Sequence, residues 1–227
     1  MARVVNGGDI SLNHGAIFQL VNGRPSCVVF YTKTVGVAKL SGGTLLPKAG
    51  RNEDPISFTM RRLAFIEDWI TRVNAGEVEG MRKADYLGIE GYALRKEQGA
   101  HALGEVGAVA RLAFWHARIP FRVYGPGSVK KFFSHDGNAS KEDMIDVALE
   151  REGFEALRYR VGKDDKTAED AADALAVARL VDTEVQLRRG KVALSDLHKK
   201  EIEVFNAATK HQPVNILARP WIQMGLI

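Results

Sequence analysis

The segment Asp170-Ala171-Ala172-Asp173-Ala174-Leu175-Ala176-Val177-Ala178 constrains the fold more than any other part of the chain. It falls in a stretch, about 167 to 181, expected to form a helix. Apart from the two aspartates its side chains are small and apolar, and a face of that kind packs closely on a sheet. Asp170 and Asp173 lie three apart and so project from the same side of the helix. Packing would carry both carboxylates to an edge of whatever sheet lies beneath.

The rest of the chain supplies such a sheet. Arg3 to Asp9 reads as a short strand ending in a turn, with Gly7 and Gly8 allowing another backbone to come close. Apolar runs at 16–21 and 27–31 flank Asn22-Gly23, a strong hairpin signal, which predicts three antiparallel strands at the start. Residues 33 to 54, rich in Gly, Lys and Pro, are expected to form a loop. From Pro55, Ile56, Met60, Leu63, Ile66, Ile70 and Val73 recur at helical spacing and stop before Gly76. Tyr86-Leu87-Gly88-Ile89 reads as a buried strand running into Glu90, and 100–117 as a second helix with Val106, Val109, Ala113 and Ala117 on one face. Phe121 to Tyr124 is a fifth strand, closed by Gly125-Pro126, and short helices near 127–133 and 140–151 flank the polar turn at 134–138. This order predicts a mixed α/β domain over 1–182 with one central sheet of five strands. Residues 183–227 are expected to form an extension: a linker at Arg188-Arg189-Gly190-Lys191, a helix near 195–208 and an apolar tail from Pro213.

Composition narrows the setting. Hydrophobic residues at 45% and charged residues at 26% describe a globular chain, which excludes a disordered one. The single cysteine, Cys27, sits in an apolar run and has no partner for an internal disulfide, so a buried thiol and a reducing compartment are expected. The N-terminus lacks the apolar core of a signal peptide, and no run approaches the roughly 20 apolar residues of a membrane span. A cytoplasmic protein is the expectation. A net charge of +4 says little about nucleic acid, but its distribution says more. Arg118, Arg122, Lys130, Lys131 and Lys141 fall in one stretch, and Asp164, Asp165, Glu169, Asp170 and Asp173 in another, as in a basic rim around an acidic centre.

Four carboxylates stand where packing alone would not put them: Asp9 at the end of the first strand, Glu90 after an apolar strand, and Asp170 with Asp173 on the small-residue helix. Each has an ordinary explanation taken singly. Asp9 could cap a turn before Ser11, Glu90 could be a surface strand end, and Thr167 with Asp170 could cap the helix. Together they suit Mg²⁺, which takes oxygen ligands from one or two carboxylates, water and substrate phosphate. A pair of such ions can activate water and stabilise the leaving oxygen of a phosphodiester. Without cations, four converging carboxylates would repel one another.

Gly8-Asp9 with Ser11 and Gly15, then Ile89-Glu90, then Asp170 to Ala176 resemble the three acidic motifs of the RuvC-type Holliday junction resolvases. Between them, Pro126-Gly127-Ser128-Val129-Lys130-Lys131 followed by Gly137, Ala139, Lys141 and Met144 is similar to the family's basic segment. The likeness spans about residues 3 to 181. It implies an RNase H-like fold and a homodimer that nicks four-way DNA junctions symmetrically with two Mg²⁺ or Mn²⁺ ions per active site. It also implies that Asp9, Glu90, Asp170 and Asp173 are metal ligands and that Lys130 and Lys141 meet the scissile phosphate. Ile10 replaces the family's frequent proline, and the 33–54 insertion and the tail are longer than its usual pattern, which suggests a divergent, phage-encoded branch. Those departures leave sequence preference and junction selectivity open.

Actin-like and sugar-kinase ATPases share this fold but need two such domains, for which 227 residues are too few, and no phosphate-binding Gly-x-x-x-x-Gly-Lys loop exists. A nucleotide cofactor is therefore not expected. The competing reading is a nuclease of the same fold acting on flaps, forks or RNA–DNA hybrids. His14 and His135 are expected as surface turn residues, and Tyr92 as either a packed aromatic or a base-stacking one. Phe114 and Trp115 cannot both face one sheet, so Trp115 is expected either at a dimer interface or under the tail near Trp221.

Overall fold

The computed structural model describes residues 3–22, 24–31, 43–91, 100–161, 166–210 and 212–222, with 100–103 through their backbone only. Twelve regular elements occur among them. They are strands β1 (Val4–Ile10), β2 (His14–Val21), β3 (Arg24–Tyr31) and β4 (Gly43–Leu45), helix α1 (Pro55–Ala75), β5 (Tyr86–Glu90), α2 (Ala100–His116), β6 (Phe121–Tyr124), α3 (Pro126–Ser134), α4 (Lys141–Glu152), α5 (Thr167–Arg188) and α6 (Lys199–Asn206). The strands form one sheet in the order β4-β3-β2-β1-β5-β6. β1, β2 and β3 run antiparallel in sequence, while β5 lies parallel to β1, β6 to β5 and β4 to β3.

The sheet thus has six strands where five were expected. Gly43–Leu45 falls inside the stretch expected as loop, and it joins the edge of β3 through only three paired residues. Three residues are too few to display an alternating pattern, so this pairing is set by tertiary contact rather than by local sequence. The Asn22-Gly23 turn behaves as its chemistry dictates. Asn22 takes a left-handed φ of 50°, and Val21 pairs with Arg24 across the hairpin; Gly23 lies outside the described residues.

Two helical layers cover the sheet. On one face α1 buries Leu63, Ile66, Trp69, Ile70 and Val73, and α2 buries Val106, Ala110, Ala113 and Phe114, in one cluster with Ile17, Phe30, Leu87 and Ile89. α1 starts on the Asp54 cap and Pro55, and it stops at Gly76, whose φ of 77° breaks the helix. Ile56 and Met60, which share the helical spacing, stay exposed at 74% and 59%. On the other face α5 lies across the sheet centre, with α3, α4 and α6 around it. A methyl group added at Gly7 would overlap the backbone of Ala174 and Ala178, and one at Gly88 would strike Val177 and Val181. The helix sits that close because alanine on one side meets glycine on the other.

α5 runs to Arg188, about two turns past the expected end near 181. Leu180, Val181 and Val185 continue its buried side, and Glu184 is buried in an ion pair with Arg122. Arg122 therefore does not belong to the expected basic rim. Its guanidinium donates to Glu184 and to the Arg219 and Pro220 carbonyls and lies 5.0 Å from the Trp221 ring, while Tyr124 donates to Glu184 at 2.7 Å. This network holds the tail against β6, where Ile222 pairs with Phe121. Phe114 is buried 5.5 Å from Phe121, whereas Trp115 remains 37% exposed; Trp221 packs on Tyr86 instead. No helix among the described residues is long and apolar enough to cross a membrane.

Candidate metal centre

Strand periodicity aims the carboxylates. Side chains two apart on a strand share a face. Gly7 and Gly88 both face α5, so Asp9 and Glu90, each two residues further on, point the same way. The parallel register pairs Gly8 with Ile89, which sets Asp9 beside Glu90 at the ends of adjacent strands. α5 then brings Asp173 over both. Carboxylate oxygens of Asp9, Glu90 and Asp173 lie within 4.8 Å of one another.

Asp170, one turn earlier on α5, lies near enough for its charge to act on Asp9 and pairs through Oδ2 with Nδ1 of His14. His14 opens β2 and is half-buried, so it is not the surface turn residue expected. The tight turn that places it is closed by Ser11, whose hydroxyl donates to the His14 carbonyl at 2.7 Å. Nothing local signals this pairing, because its partner is 156 residues away. The capping explanation for Thr167 and Asp170 does not apply: Thr167 donates to the Tyr159 carbonyl at 2.5 Å, and no side chain caps the start of α5.

Two lysines stand beside the carboxylates. Lys141, first residue of α4, reaches Glu169 Oε2 at 3.1 Å and Asp173 Oδ2 at 3.9 Å. Lys130 on α3 donates to the Ala139 carbonyl at 2.5 Å, and its charge acts on both Glu90 and Asp173. The Gly-x-Ala-x-Lys turn makes this possible. Ala139 is buried, and Ser140 and Asp143 cap one another at the start of α4, which fixes Lys141 at its entry. Lys131 pairs instead with Glu203 on α6 at 2.7 Å. His135 turns the other way as well, stacking on His198 at 3.7 Å with Glu201 3.3 Å from Nε2. Tyr92, Asp164 and Asp165 lie outside the described residues.

Burial and mutual repulsion dominate the electrostatics of these carboxylates. Burial, then the charge of Asp170, pushes Asp9 up to about 7. Burial, then Asp9 and Asp173, pushes Glu90 up to about 9. Burial and Asp9 push Asp173 up to about 7, and burial raises Asp170 as well. Burial pulls Lys141 down, but Asp9, Asp173 and Asp170 outweigh it and hold the ammonium charged. Carboxylates raised toward neutrality by burial and by one another suit a hard divalent ion, and the donors are all oxygen.

No model of a known protein family matches the chain. Among solved structures, "Thermus thermophilus RuvC structure" aligns with a TM-score of 0.50 and 19% identity, covering 83% of this chain and 96% of that one. "T. thermophilus RuvC in complex with Holliday junction substrate" aligns with a TM-score of 0.49 and 18% identity, covering 78% and 90%. At this identity the first likeness establishes the fold. The chain has the mixed α/β, RNase H-like architecture expected, with a central sheet flanked by helices.

Proposed function

We propose that the chain is a divalent-metal-dependent endonuclease that cuts branched DNA, resolving four-way junctions by paired nicks as a homodimer. The observation that carries this reading is the convergence of Asp9, Glu90 and Asp173 within 4.8 Å at the end of two parallel strands, with lysines 130 and 141 behind them. Asp9, Glu90 and Asp173 would hold the cation, and Asp170, oriented by His14, would complete a second position. Bound there, Mg²⁺ or Mn²⁺ supplies an acidified water and offsets charge on the leaving oxygen.

The chain's own residues do the rest. A phosphodiester entering the site gives Lys141 a partner other than Asp173, and as a compact point charge it holds a phosphate oxygen. Lys130, anchored on the Ala139 carbonyl, adds positive potential on the Glu90 side, where charge develops as the bond breaks. Two opposed nicks require two sites facing one junction, hence a twofold dimer. The exposed face of α2, with Leu112 at 51% and Trp115 at 37% exposure, is the surface offered to a second copy.

The test compares a four-way junction, a fork, a flap and an RNA–DNA hybrid side by side in Mg²⁺ and Mn²⁺, with the wild type and the Asp9→Asn and Asp173→Asn variants. The amides are near-isosteric and poor ligands for hard cations, so both should bind the junction and leave it uncut. Preferential paired cutting of the junction is the expected result. Preference for the fork, flap or hybrid would retain the nuclease and reject the resolvase, and full cutting by either variant would reject the metal centre.

A further inference from the structure

A cavity of about 300 Å³ opens at the ends of β5 and β6, under α2. One wall is apolar: Ile89 and Val123 are register partners on adjacent parallel strands and face α2 together. The opposite wall is Gly104 and Gly107 with Arg111, spaced so that all three lie on one side of the helix. A Cβ at Gly104 would meet nothing within 4 Å, so the helix presents bare backbone to open space at that position. Glu90 and Gly91 line the same cavity, so it opens at the strand end that also carries the proposed metal centre on the other face of the sheet.

Those walls describe an occupant. Two aliphatic side chains facing a helix stripped of side chains make a slot for a flat, apolar-faced ring. Its volume falls at the lower end of small-ligand sites, roughly 300 Å³ upward. Among its lining residues the only cation is Arg111, whose planar guanidinium suits a phosphate or the polar edge of a base. Because Glu90 and Gly91 line it, an occupant would lie next to the strand end where the proposed cut is made. We infer that the cavity receives one unpaired nucleotide of the cut DNA strand, its base between the Ile89–Val123 wall and the Gly104–Gly107 face and its backbone or base edge on Arg111. Enzymes that act within a duplex commonly take a nucleotide out of the stack, and the cost is lowest where pairing is already broken, as at a branch point. The inference rests on the nuclease reading and adds to it a binding subsite and a preference for strands with an unpaired base beside the cut.

The test uses the full chain in EDTA, where no cleavage competes, and four-way DNA junctions carrying 2-aminopurine at successive positions around the branch point. At one position, fluorescence should rise several-fold on binding as the base leaves the stack for a slot between the aliphatic Ile89–Val123 wall and the Gly104–Gly107 face. Gly104→Leu fills the slot with a better helix former, so its melting temperature should be unchanged or higher. It should abolish the rise and weaken binding roughly tenfold, on the scale of one unpaired base's contacts. Arg111→Ala should reduce the rise in the same position, and it decides the matter if the leucine variant fails to fold. Brightening that survives in a folded Gly104→Leu, or in Arg111→Ala where the leucine variant does not fold, overturns the subsite, as does junction binding with no bright position at all. A chain that binds no junction overturns the junction-resolving reading together with it.

Discussion

Neutralising Glu90 should stabilise the chain without metal and weaken it with metal. A carboxyl whose folded pKa lies above its unfolded value keeps its proton in the folded chain over a range where the unfolded chain has already lost it. Stability therefore falls as pH rises past the unfolded value and stops falling above the folded one. For Glu90 that window runs from the ordinary 4.5 to about 9. At pH 7, the distance from 4.5 sets an upper limit of about 3.4 kcal/mol, at about 1.36 kcal/mol per pH unit. Glu90 is only half-buried, and solvent screening brings this to roughly 1–2 kcal/mol. Glu90→Gln removes the penalty, so in EDTA at pH 7 its melting temperature should exceed that of the wild type by about 2–8 °C for a chain of this size. Saturating Mn²⁺ should reverse the order, because a ligand at about 100 times its Kd adds roughly 2.7 kcal/mol to the wild type and far less to a variant lacking one carboxylate. Thermal melts of both proteins, with and without metal, between pH 5 and 9 give the comparison. A Glu90→Gln variant less stable than wild type in EDTA, or an order that metal does not invert, would refute the reasoning.

Lys141→Ala should lower cleavage more than junction binding, because a dimer spreads affinity over many phosphates; separate kcat and Kd measurements check this, and a shallower salt dependence with intact turnover would assign it to positioning alone. Arg122→Ala should cost about 3–5 kcal/mol by leaving Glu184 buried and unpaired, whereas the double change Arg122→Met with Glu184→Leu should recover most of it in a denaturant titration. Trp115→Glu should convert a dimer to a monomer by light scattering and convert paired nicks to single ones; a wild type monomeric at micromolar concentration, alone and on a junction, would reject the dimer.

Legibility followed the range of the interactions. The small-residue run of α5, the Asn22 turn and the apolar strands each reflect a local rule, and each came through in the sequence with its type, although α5 runs on to Arg188. Asp9 and Glu90 were legible because a carboxylate ending an apolar strand breaks the pattern that put it there. β4 was not, since three residues carry no period, and its partner strand decides its state. The His14–Asp170 pair and the burial of Arg122 on Glu184 depend on contacts across 156 and 62 residues, for which a single sequence offers no signal. Arg122 looked like part of a surface patch because charge is usually solvated, and only the buried Glu184 opposite makes the exception affordable.

The contact between Gly7 and the alanines of α5 also sets how far apart the strand and helix carboxylates of the proposed centre stand. Asp9 lies two residues beyond that glycine, and Asp173 immediately precedes Ala174, so the bite of the centre is gauged by two backbones already touching. No flexible loop stands between them to widen it. Discrimination by ionic radius then becomes a property of the core. Methyl groups introduced at Gly7 or Gly88 would accordingly register in the order of metal preference, although neither position bears a ligand atom.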